Sequence, residues 1–114
     1  EYANTTNWSP AVDIRETESA YIIRADVPGV SAKDIEITLE NNVLSISGHR
    51  EGEIKKDEDG YRRIERYSGR FARHFNLPDT ADAEKVDANV KDGVLEVVLH
   101  KKEASKPRRI AVKG

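Results

Sequence analysis

Val86-Asp87-Ala88-Asn89-Val90-Lys91-Asp92-Gly93-Val94-Leu95-Glu96-Val97-Val98-Leu99 decides the fold. Val86, Ala88 and Val90 alternate with polar residues before Lys91-Asp92-Gly93, and Leu95, Val97 and Leu99 alternate after it. A period of two marks strands with one buried face, and Asp-Gly tolerates the positive φ angles of a two-residue hairpin turn. The same grammar recurs upstream. Ile35, Ile37 and Leu39 lead through Asn41-Asn42 to Leu44 and Ile46, a second hairpin closing at Gly48. Tyr21, Ile23, Ala25 and Val27 form a further strand that stops at Pro28-Gly29, and Phe71 to Leu77 forms another. No helical period extends over eleven residues. Ser31-Ala32-Lys33-Asp34 and residues 79–85 have room for one helical turn each. The expectation is an all-β chain, an immunoglobulin-like antiparallel β-sandwich, although alternation separates a sandwich from a barrel poorly.

At 114 residues the chain is the size of one domain. Charged residues make up 35% and hydrophobic residues 37%, with a mean hydropathy of −0.72. No apolar run approaches the roughly 18 residues of a membrane helix. Absence of cysteine excludes a disulfide-stapled scaffold and thiolate metal sites and fits a reducing cytosol, and no signal peptide is expected. The chain starts at Glu1 and contains no methionine, so a longer protein with a further N-terminal arm is expected. Its net charge of −2 conceals a split: of 19 basic and 21 acidic residues, six and one respectively lie within 101–114. A basic tail of this length reads as a solvated extension before it reads as a phosphate-binding segment.

Chemistry-bearing constellations are missing. His49, His74 and His100 lack the close spacing that puts two imidazoles on one ion. No Gly-Lys-Ser/Thr loop and no Gly-x-Ser-x-Gly elbow occurs. The carboxylates sit mainly in charge-rich segments without an apolar pocket to perturb them. The expectation is therefore no enzyme, cofactor, metal, small-molecule substrate, nucleic acid or membrane as partner.

Three features break the pattern. Residues 50–66 contain twelve charges, six of each sign, and read as a connection that is long for a compact β domain. Such a segment is either a solvated loop or a binding device, and the run starting at Tyr61 suits strand pairing with another chain. Arg73 stands on the apolar side of Phe71, Phe75 and Leu77, so it needs a carboxylate partner or an edge position from which it reaches water. Finally, Ile110 and Val112 stand alone in the basic tail, as a short strand that docks elsewhere or as incidental aliphatics.

The order of these features resembles the alpha-crystallin domain of bacterial small heat-shock proteins. The resemblance rests on Trp8-Ser9-Pro10-Ala11-Val12-Asp13-Ile14, Val27-Pro28-Gly29-Val30, Leu44-Ser45-Ile46-Ser47-Gly48, Ser68-Gly69-Arg70-Phe71 before Leu77-Pro78, and above all Ala88-Asn89-Val90-Lys91-Asp92-Gly93-Val94-Leu95. Ile110-Ala111-Val112 is similar to the tail motif of that family, with valine as second anchor. The resemblance implies a domain over 1–100 with a lead-in at 1–7, and a C-terminal extension over 101–114. It implies an ATP-independent chaperone that holds unfolding client proteins and assembles as a homodimer and higher homo-oligomer in the cytoplasm. Tyr61, Arg62, Arg63, Ile64 and Glu65 would be a strand exchanged between subunits, with Arg73 near the interface. Ile110 and Val112 would anchor in a groove walled by Ile35, Ile37, Leu39, Val86, Ala88 and Val90, which also serves clients. Alternatives are a p23-like co-chaperone sandwich and, from another class, a carbohydrate-binding sandwich, against which the scarcity of aromatic residues speaks.

Overall fold

A computed structural model describes residues 3–58 and 60–114. Glu1 and Tyr2 of the expected lead-in and Asp59 of the charged segment lie outside the described residues. The strands are β1 (Ala3–Asn7), β2 (Val12–Glu16), β3 (Ala20–Asp26), β4 (Ile35–Glu40), β5 (Val43–Glu58), β6 (Tyr61–Asn76), β7 (Ala81–Lys91) and β8 (Val94–Lys101). They form two sheets of order β1-β6-β5-β4 and β2-β3-β8-β7. Every pairing is antiparallel except β1 with β6.

Alternation places the core as expected. Ile23, Val27, Leu44, Val97 and Leu99 are fully buried, joined by Tyr21, Ala25, Ile46, Phe71 and Leu95. The cross-strand pairs Tyr21↔Leu99, Ile23↔Val97 and Ala25↔Leu95 bring three inward residues of β3 against three of β8, and Leu44 and Ile46 of β5 supply the facing layer. Each such side chain contributes about 1.5–3 kcal/mol on burial, so this small set dominates stability. Both sequence-read turns hold: Asn41 and Asn42 have φ of 52° and 64°, and Asp92 and Gly93 have 52° and 78°, as a type I′ turn requires of both central residues.

Two expectations need correction. Residues 79–85 form no helical turn; β7 starts at Ala81, with a register irregularity between Ala81 and Val86 that hid its alternation. Residues 50–66 are not a loop. They are the outer halves of β5 and β6, paired from Glu51↔Ser68 to Glu58↔Tyr61 in one long hairpin. Balanced charges permit this because opposite signs meet across the ladder: Glu53 bonds Arg66 at 3.1 Å and Asp57 approaches Arg62 at 3.7 Å. Hairpin and tail together stretch the chain to 86 Å and its radius of gyration to 20.0 Å, against about 13 Å for a compact domain of this length.

The root of the hairpin is fitted around glycine. Gly48 faces Phe71 across the ladder, and the Phe71 ring also packs on Trp8 at 5.1 Å, while Arg50 lies 4.4 Å above the Trp8 ring. A Cβ at Gly48 would stand 2.7 Å from the Phe71 ring and 3.1 Å from the Asp34 carbonyl oxygen. Gly48→Ala is therefore expected to cost about 1–3 kcal/mol through overpacking. Urea unfolding, with the midpoint lowered at constant slope, checks this.

Candidate interaction surfaces

Opposite residues in a ladder share a face, which fixes where the apolar rows of the two edge strands point. Ile37 pairs with Ile46 and Leu39 with Leu44, while Val86, Ala88 and Val90 pair with Leu99, Val97 and Leu95. Each of these partners is buried, so both rows turn into the sandwich. Yet β4 and β7 end their sheets, and Ile35, Ile37, Leu39, Val86 and Val90 are only half-buried, with Ala88 exposed. The two edges lie on the same side of the sandwich. On the other side, Arg73 of β6 donates to the Pro10 carbonyl immediately before β2, tying the opposite edges together. Half-buried apolar side chains thus line β4 and β7, and the outer backbone edge of β4 is unpaired among the described residues.

Within the single chain, Arg73 meets no carboxylate among the described residues. Its Nη1 donates to the Pro10 carbonyl at 2.7 Å and to Ser9 Oγ at 3.3 Å, and its guanidinium lies 5.2 Å from the Phe75 ring. Half-burial at the edge of β6 leaves room for a backbone acceptor and some water, so charge neutralisation is not required. Arg73→Ala removes a charge-assisted hydrogen bond that fixes the entry of β2, with an expected loss of about 1.5 kcal/mol in urea unfolding.

Tyr61, Arg62, Arg63, Ile64 and Glu65 lie in β6 beside residues 54–58 of β5. Beyond them β6 has a second edge. β1 covers that edge along residues 66–70, and among the described residues none pairs with the same side of residues 61–65. The face shared with the core carries Ile54, Tyr67 and Tyr61, which are 44%, 41% and 79% exposed. The edge of β2 is also free, since β2 ends the second sheet.

The tail leaves β8 through a short 3₁₀ turn, Glu103–Ser105, where Lys106 hydrogen-bonds Glu103 at 2.8 Å and holds its carboxyl below the usual range. Beyond it residues 107–114 have no regular structure, and Ile110 and Val112 are 82% and 92% exposed. The expected anchors lie in this extended tail, and the expected groove residues lie on β4 and β7. Sequence reasoning missed β1, because Ala3-Asn4-Thr5-Thr6-Asn7 carries no apolar alternation. It also missed the hairpin, although Asp59-Gly60 repeats the dipeptide read as a turn at Asp92-Gly93.

The two-sheet architecture recurs in known proteins. The sequence profile of the Hsp20/alpha crystallin family matches residues 13–113. The chain belongs to the Hsp20/alpha crystallin family. It is 45% identical over 103 residues to spore protein SP21 of Stigmatella aurantiaca, covering 90% of this chain and 61% of that one. It is 40% identical over 104 residues to small heat shock protein C4 of Rickettsia felis, covering 91% and 64%. The chain thus spans just under two thirds of the length of these two curated relatives. Among solved structures, a small heat-shock protein from Xylella fastidiosa, described as having a distinct high order structure, superposes with a TM-score of 0.66. Its identity is 39%, with coverage of 94% of this chain and 98% of that one. Family membership makes the sandwich an alpha-crystallin domain.

Proposed function

We propose that the chain is an ATP-independent holdase that assembles from homodimers into larger homo-oligomers in a reducing cytosol. One observation carries this reading: a single chain leaves an apolar slot half-open between β4 and β7 while its own tail presents two detached aliphatic side chains. Burying Ile110 and Val112 in the slot of another subunit satisfies both surfaces, at about 1.5–3 kcal/mol gross per residue before ordering costs. Release under heat uncovers the slot, which then captures apolar segments of unfolding clients without regard to their sequence. No nucleotide enters such a cycle. Refolding falls to other proteins.

The same reading gives the charged hairpin a task. Residues 61–65 offer a free edge, and β2 offers another, so a partner's β2 pairs along Tyr61, Arg62, Arg63, Ile64 and Glu65 in a reciprocal dimer. Arg73 holds the Ser9-Pro10 segment and thereby sets the position from which β2 meets that partner. The test is capture. An unrelated thermolabile enzyme heated with this protein without nucleotide should co-elute with it as a large soluble complex in size-exclusion chromatography. Precipitation of the enzyme with the protein left at its starting elution volume would reject the reading.

A further inference from the structure

The outer face of β4 and the tail carry mirrored patterns. On β4 the order is Glu36-Ile37-Thr38-Leu39-Glu40, and on the tail it is Arg109-Ile110-Ala111-Val112-Lys113. Both read charge, apolar, small, apolar, charge, with opposite sign. Ile37 and Leu39 face the slot, which puts Glu36, Thr38 and Glu40 on the solvent side, where all three are exposed. Neither Glu36 nor Glu40 makes an ion pair among the described residues, and neither do Arg109 and Lys113.

We propose that the tail of a second copy adds to the free edge of β4 as a strand, with Ala111 opposite Thr38 and its register fixed by two charge pairs between Arg109/Lys113 and Glu36/Glu40. This rests on the tail-docking reading above and adds to it a polar code that selects the strand and the register. In an extended strand the charges four residues apart are separated by about 13 Å on both segments, so both pairs form together. The same alignment sets Ile110 and Val112 beside Ile37 and Leu39, over the slot. A slip by one residue would turn the aliphatics to solvent and the charges into the slot, and a slip by two would put one tail charge opposite Thr38 and the other beyond Glu36 or Glu40, so that neither pair forms. The match holds in either chain direction, because both patterns are symmetric about their centre. The opposite wall does not offer it: β7 presents Lys85, Asp87, Asn89 and Lys91 outward, so a basic tail there meets two lysines. A second copy is the occupant because the tail in the single chain stands away from its own slot, with both anchors exposed.

The test uses the full chain with its own anchors replaced (I110A/V112A), which frees the slot without touching the core. Fluorescence anisotropy then follows a labelled peptide of residues 107–114. The native peptide should bind, and E36K/E40K in the same chain should weaken it about tenfold at low salt, with the difference shrinking as added salt screens it. A peptide carrying R109E/K113E should show the reverse preference and bind the E36K/E40K chain better. In the otherwise native chain, E36K/E40K should shift sedimentation toward smaller species. Equal affinity of the native peptide for both chains, with binding still lost when its two anchors are alanine, overturns the charge code and leaves tail docking standing. Binding indifferent to the anchors, or no binding, overturns both. A native assembly unchanged by E36K/E40K while the peptide obeys the code assigns the site to the tail of the same chain and overturns the second-copy assignment.

Discussion

Leu99→Ala is expected to destabilise the domain by about 3 kcal/mol, within the 2–5 kcal/mol range of buried leucine truncations. Leu99 is fully buried on β8 between Tyr21 of β3 and Val86 of β7, in a core that few side chains supply. Neighbours tied into ladders on both sides relax little into the cavity, which puts the cost at the middle of the range or above it. At about 4–8 °C per kcal/mol for a small domain, the melting temperature should fall by roughly 12–24 °C. Ile14→Ala is the control. That side chain is 47% exposed on β2, and its truncation should cost well under half as much. Both variants are compared at one protein concentration, because assembly stabilises the folded state by mass action. A cost below about 1 kcal/mol at Leu99 would mean that the two sheets do not enclose it.

Ile110→Ala with Val112→Ala is expected to act on assembly and not on folding. Both side chains are almost fully exposed in the single chain, so at protein concentrations low enough that neither form assembles the domain should unfold at an unchanged urea concentration. Docked in the slot of a neighbour, they account for about 3–6 kcal/mol of gross burial, and their loss should weaken each tail contact about a hundredfold after ordering costs are subtracted. Repetition over many subunits multiplies this into a sharp transition. Sedimentation velocity should therefore show the large species replaced by dimers. An assembly of native size would place the tail outside the architecture.

The legible parts of the sequence were those where one face is buried and one is wet. Val86 to Leu99, Ile35 to Ile46 and Tyr21 to Val27 gave strands, turns and core together, because burial imposes a period of two and Asn-Asn or Asp-Gly marks the reversal. The outer half of the β5–β6 hairpin resisted because it buries neither face. Its order comes from cross-strand charge pairs and main-chain bonds, which leave only balanced charge in the sequence. β1 was hidden for a similar reason, since its pairing along residues 66–70 is a backbone register that needs no apolar alternation. Arg73 was correctly singled out as needing a partner, but a backbone carbonyl carries no signature in a sequence, and the Pro10 oxygen was not foreseeable. The inward-facing rows of β4 and β7 were legible as alternating apolar residues. Their half-exposure was not, because it depends on which strands end the sheets.

Light scattering from a heated, unrelated thermolabile enzyme, with increasing amounts of this protein and no nucleotide, tests the chaperone reading most directly. Scattering should be suppressed at near-stoichiometric ratios and remain suppressed, to the same degree, when ATP is added. Scattering that rises as it does in buffer, with the protein folded by circular dichroism and in tenfold excess, would contradict it.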